Sequence, residues 1–89
     1  MQTVTITVSG KVQGVFYRKY AVGKARELQL TGYIQNLENG NVYLEITGDE
    51  NTVKKFIEWC YKGSPLSEVK KVDVQEISLI EFKEFTIRY

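Results

Sequence analysis

The chain has 89 residues, with 12 Lys and Arg against 11 Asp and Glu, no His, one Cys and one Pro. Without imidazole, any chemistry that needs a His base or ligand is excluded, and a single thiol, Cys60, cannot make an internal disulfide or a four-ligand zinc site. The length fits one domain over residues 1–89, and the apolar share of 43% and charged share of 26% are those of an ordinary globular chain.

Residues Thr3–Val8 alternate Thr with Val and Ile, the pattern of a half-buried strand. They lack a basic lead-in and do not read as a signal peptide, and no apolar run approaches the roughly 20 residues that span a bilayer. From Tyr17 the apolar positions fall at Tyr17, Tyr20, Ala21, Ala25 and Leu28, predicting a helix that ends near Gln29. Gly23 inside it is a cost of up to ~1 kcal/mol relative to Ala. Tyr33 and Ile34 lead a strand into the turn Asn36-Leu37-Glu38-Asn39-Gly40, where Asn-Gly is a strong hairpin signal.

Val42, Leu44 and Ile46 form the return strand, stopped by Gly48. Asp49 is placed to cap a second helix, whose stripe is Val53, Phe56, Ile57, Cys60 and Tyr61, and Gly63-Ser64-Pro65 ends it. Val72 and Val74 mark a fourth strand, and Phe85, Ile87 and Tyr89 a final one. The order is β-α-β-β-α-β with room for a short extra edge piece. The fold class expected is α+β, a ferredoxin-like sandwich with a mostly antiparallel sheet and two helices on one face, its other face open. Tyr20, Phe56 and Phe85 read as core, and Cys60 as a small buried apolar group with no base to activate it.

The net charge of +1 conceals an asymmetry. Residues 1–35 carry five bases and one acid, whereas residues 36–89 carry seven bases and ten acids. A basic first third suits an anionic ligand, though a charge this small commonly only decorates a surface. The first strand-to-helix connection, Ser9-Gly10-Lys11-Val12-Gln13-Gly14-Val15-Phe16-Tyr17-Arg18, has two glycines that free the backbone and a helix start whose N–H groups lack partners. Such a loop can seat an anion. It is neither a Walker loop nor a GxGxxG fingerprint, and a plain connection with two turn glycines remains an alternative. Arg18 and Lys19 oppose the helix dipole at a cost of roughly 0.3–1 kcal/mol each, which makes sense if an anion sits between them and the loop. Asn36, by turn statistics, is a turn residue.

The segment from Gly10 to Arg18, followed by Gly32-Tyr33-Ile34-Gln35-Asn36, resembles the paired signature of the acylphosphatases. The likeness continues through Asn39-Gly40, Gly48, Gly63-Ser64-Pro65 and Phe85-Thr86-Ile87-Arg88-Tyr89 and covers essentially the whole chain. The departures are minor: Tyr17 and Tyr33 stand where the family more often has Phe and Trp, Ile34 where Val is common, and Gln29 where the first helix often ends in Gly.

The resemblance implies a ferredoxin-like fold and hydrolysis of acyl phosphates to a carboxylate and inorganic phosphate. A carboxylate leaves without a strong acid and phosphoryl transfer needs mainly position and electrostatic stabilisation, so no metal or cofactor is expected. The resemblance also implies that the amides of Gln13, Gly14, Val15, Phe16, Tyr17 and Arg18, with the Arg18 side chain, hold the phosphoryl group, and that Asn36 positions the attacking water. The expected partners are small acyl phosphates and the phosphate product, with no nucleic acid and no membrane, and a cytoplasmic monomer is expected. Two other functions share the topology. An RNA-recognition domain would need aromatics on the third strand, which offers only Tyr43 beside Glu45. A phosphate-binding domain without turnover would have little reason to keep both Arg18 and Asn36.

Overall fold

The computed structural model describes residues 1–89, in the order β1 (Gln2–Lys11), α1 (Tyr17–Glu27), β2 (Thr31–Asn36), β3 (Val42–Gly48), α2 (Glu50–Lys62), β4 (Glu68–Ile77) and β5 (Phe85–Arg88). The sheet runs β4-β1-β3-β2-β5, antiparallel except for the parallel β2–β5 pair. This is the expected ferredoxin-like architecture, and the short extra edge piece is β5. Two strands are longer than their apolar alternation suggested. β1 continues to Lys11 with a register shift at Ser9/Gly10, and β4 spans ten residues although only Val72 of it is buried. β4 is an edge strand paired to β1 alone, so Lys70, Lys71 and Asp73 on it keep the open edge charged and discourage further pairing.

Gly10 does not loosen the loop that follows. It lies within β1 at φ 121°, and a Cβ there would run into the Glu68 carbonyl of β4. Its lack of a side chain serves close strand approach at the register shift.

One face of the sheet and the inner faces of the helices enclose the core. Val4, Ile6, Val8, Ile34, Leu44 and Ile46 meet Tyr17, Ala21 and Ala25 of α1 and Val53, Phe56 and Cys60 of α2, with Phe85 closing the side. Two residues of the expected stripes fall outside. Tyr61 is 60% exposed because eight residues at 100° each carry it some 80° past Val53, and Tyr20 is 47% exposed because it lies a similar angle off the Tyr17–Ala21–Ala25 line. Trp59, half-buried, takes their place, packing on Tyr17 and Phe56 with ring centroids 5.0 and 5.7 Å apart.

The second sheet face is not left open. The segment between β4 and β5 crosses part of it: Ile80 accepts from Thr47 Oγ1 at 2.7 Å and donates to Thr3 Oγ1 at 2.9 Å, burying the Thr3–Thr47 pair. Tyr33 meets Phe82 in a T-shaped contact and lies 3.6 Å beneath the Arg88 guanidinium, while Tyr43 donates to Glu45 at 2.7 Å. The aromatics that an RNA-binding face would present are thus engaged within the chain.

Helix α1 ends in a Schellman motif: Leu30 N–H bonds the Ala25 carbonyl and Gln29 N–H the Arg26 carbonyl, at 2.8 and 3.0 Å. Gln29 occupies the left-handed position at φ 57°, where Gly carries no Cβ penalty. Gly23 is exposed within the helix, and a Cβ there would meet nothing. Gln29→Gly and Gly23→Ala are therefore each expected to stabilise by roughly 0.5–1 kcal/mol and to raise the melting temperature by a few degrees. Thermal unfolding of the single variants checks this, and a lowered midpoint for either contradicts the corresponding strain.

Candidate active site

Between β1 and α1 the chain bends through Gly14 at φ 74° and Phe16 at φ 63°, both left-handed. The space around Gly14 is open, and a Cβ there would meet nothing within 4 Å; the left-handed turn needs a residue without a Cβ, not extra room. Phe16 has a Cβ and holds the same region at a cost of about 1–2 kcal/mol. The residue is 65% exposed. Val15, between them, points the other way: its side chain joins the core and its carbonyl accepts from the buried Ser64 Oγ at 2.7 Å. Tyr17 is anchored beside it, its hydroxyl donating to the Cys60 carbonyl at 2.8 Å.

This bend leaves donors free. The backbone N–H groups of Gly14, Val15 and Phe16 bond no protein acceptor, and the first-turn N–H groups of Tyr17, Arg18 and Lys19 have none within the helix. No side chain caps the helix at Phe16, and no acid stands in its first turn. Arg18 and Lys19 form no ion pair; the chain's two are Lys24–Glu27 and Lys71–Asp73. The Arg18 guanidinium lies over the Tyr89 ring, 5.2 Å from its centroid.

Opposite the bend, Asn36 ends β2. It belongs to the strand, pairing with Val42, and the turn proper is Leu37–Asn41, closed by Leu37 N–H on the Asn41 carbonyl at 2.8 Å. Asn36 Oδ1 is buried without a hydrogen-bond partner. An unmade bond of this kind costs about 1–3 kcal/mol, and a half-turn about χ2 exchanges the amide's oxygen and nitrogen ends.

A cavity of about 330 Å³ joins these parts. Gln13, Gly14, Phe16, Tyr17, Arg18 and Asn36 all line it. Of the residues singled out from sequence only Val15 is absent from the wall, because its side chain is spent on the core. Sequence reasoning missed Ile87 and Tyr89 of the wall, which reach it from β5 and just beyond, and missed Ser64, which pins the bend from below. The alternation of the last strand marked Ile87 and Tyr89 as a pair on one face, but not which neighbours they meet. Glu38, the one carboxylate in the turn after Asn36 and so the candidate for a general base, is exposed and lies outside the wall.

A family model for acylphosphatase matches residues 4–87. An acylphosphatase of Methylococcus capsulatus is 44% identical over 88 residues, covering 98% of this chain and 96% of that protein. One of Shewanella amazonensis is 46% identical over 76 residues, covering 85% of this chain and 84% of that protein. The crystal structure of the Bacillus subtilis acylphosphatase superposes over the full length of both chains with a TM-score of 0.97 at 36% identity. The chain belongs to the acylphosphatase family. Members are hydrolases acting on acyl phosphates, and the chain takes its place among enzymes on that ground. No helix is long and apolar enough to cross a membrane.

Cys60 takes no part in this site. It is fully buried, and burial pushes its thiol up to about 12, the Tyr17 hydroxyl beside it only partly opposing the rise. The thiolate is the reactive form, so at pH 8 iodoacetamide should label Cys60 only after unfolding. Rapid labelling of the native protein at that pH would contradict the burial.

Proposed function

We propose that the chain hydrolyses the carboxyl–phosphate bond of small acyl phosphates, with the bend amides and Arg18 binding the phosphoryl group and Asn36 holding the attacking water. The observation that carries this reading is that Arg18, free of any carboxylate, and Asn36, with its buried unpartnered oxygen, line one cavity although they come from different elements.

The chemistry needs little else. A carboxylate is a good leaving group and departs without an acid to protonate it. The transition state for phosphoryl transfer is loose and spreads charge over the phosphoryl oxygens, so position and electrostatic stabilisation are what the protein must supply. A guanidinium grips two such oxygens in a fork and stays charged. The free N–H groups from Gly14 onward and the positive end of α1 serve the remaining oxygens. With the amide turned about χ2 so that its oxygen faces the cavity, Asn36 accepts a hydrogen bond from a water whose oxygen faces phosphorus. The water oxygen bonds to phosphorus, the bond from phosphorus to the carboxyl oxygen breaks with its electron pair leaving on the carboxylate, and the water's proton passes to a phosphoryl oxygen. The products are a carboxylate and inorganic phosphate. Neither metal nor cofactor enters these steps. The cavity of about 330 Å³ has room for a phosphoryl group and a small acyl part, and the exposed Phe16 in its wall gives that acyl part an apolar surface. The single buried thiol fits a reducing, cytoplasmic setting, and the site as described is complete in a monomer.

Four measurements test this with benzoyl phosphate as substrate. Arg18→Gln should lower kcat/KM by about 10²–10³-fold and weaken competitive inhibition by phosphate. Asn36→Ala should lower kcat by about 10²-fold with the phosphate inhibition constant changed less than about threefold, because it removes a contact to water rather than to phosphate. An Asn36→Ala variant with the wild-type rate would overturn the water-positioning role. The wild-type rate should be unchanged in excess EDTA, and Glu38→Gln should keep it too; loss of turnover with chelator, restored by Mg²⁺, or loss with Glu38→Gln would overturn the metal-free, substrate-assisted scheme.

A further inference from the structure

We infer that the Gln13 side chain is a positioning residue: it sets the spacing between the phosphoryl-binding bend and Asn36. The inference rests on the water-positioning role proposed for Asn36.

The bend is held on two sides. On the helix side, Ser64 and Tyr17 tie it to α2 and the residues just after it. On the hairpin side, Gln13 alone does so. Its Nε2 donates to the Leu37 carbonyl at 2.8 Å and to the Asn41 carbonyl at 2.9 Å, so both protons of the carboxamide are used. No other hydrogen bond joins residues 12–16 to residues 37–41. Leu37 is the next residue after Asn36, so the clamp grips the chain one peptide away from the side chain that would hold water.

The hairpin does not need these bonds in order to close. The Leu37 carbonyl already accepts from Gly40 N–H at 3.2 Å, and the Asn41 carbonyl from Leu37 N–H at 2.8 Å. What the carboxamide adds is a fixed separation between two parts of the site that belong to different elements. Nucleophile and phosphorus must meet in line, and a misplacement of about 1 Å can cost about 10²-fold in rate. A carboxamide with both protons committed holds that distance without entering the chemistry.

The test is a cycle of variants assayed with benzoyl phosphate, phosphate inhibition being measured in parallel. Gln13→Met keeps the length of the side chain and loses both donors; Gln13→Ala loses bulk as well and serves as the second variant, with thermal melts confirming that each is folded. Each should lower kcat by about 10- to 100-fold while the phosphate inhibition constant stays within about threefold. In an Asn36→Ala background the same Gln13 substitution should cost no more than about twofold further, because the clamp acts through Asn36. A folded Gln13→Met with kcat within about twofold of wild type, or losses that multiply in the double variant, would overturn the inference. If Asn36→Ala alone left kcat intact, the fault would lie with the water-positioning reading instead.

Discussion

The anchoring of Val15 is the constraint on which the site depends. Its side chain belongs to the core and its carbonyl is held by Ser64, just beyond the C-terminal end of α2. Burying a Val side chain is worth roughly 1.5–3 kcal/mol, enough to offset the left-handed strain at Phe16 beside it. Because Val15 is drawn inward, Gly14 and Phe16 are turned toward the cavity on either side, and the N–H groups between β1 and the first turn of α1 stay free of partners within the fold. The bend is thus fixed by contacts within the fold, as the proposed electrostatic stabilisation of a transition state requires.

The two helix starts of this one chain make the point by contrast. Helix α2 begins by ordinary rules: Asp49 at the cap position with extended backbone, Glu50 in the first turn, and the Asp49 carbonyl receiving both Val53 N–H and Thr52 Oγ1. The Asp49 carboxylate itself makes no cap bond, but the acids still favour the dipole. Helix α1 begins with a strained aromatic at its cap, no acid and two adjacent cations. Each of those choices costs the isolated fold a fraction of a kcal/mol to ~2 kcal/mol. The anionic ligand proposed above accounts for local rules that fail together at one place and hold at the equivalent place elsewhere.

Much of this was legible in the residues. Period-two alternation located β1, β3 and β5, the 3.6-residue stripe located both helices, and the glycine-bearing loop followed by Arg18 located the bend. Other features were not legible, for identifiable reasons. β4 is an edge strand with one buried residue, so its length left no apolar trace. Gly10 and Gly14 look alike in sequence, but the first serves strand approach and only the second serves the bend. Tyr20 and Tyr61 sit at the flanks of their stripes, where a count of apolar positions does not separate rim from core. Asn36 carried the ordinary signature of a turn, and only its place at the strand end, in the wall of the cavity that Arg18 also lines, distinguishes it. The contacts of Gln13 and Ser64 join residues 24 to 49 positions apart, beyond the reach of any local pattern.

The most direct measurement is a titration of the ¹⁵N-labelled protein with inorganic phosphate, followed by amide chemical shifts. Saturable shifts concentrated on the N–H groups of Gly14 to Lys19, and abolished in Arg18→Gln, are the result expected if the bend is the anion seat. Shifts that leave these amides unmoved, or that gather instead around Lys54 and Lys55 on α2, would contradict it.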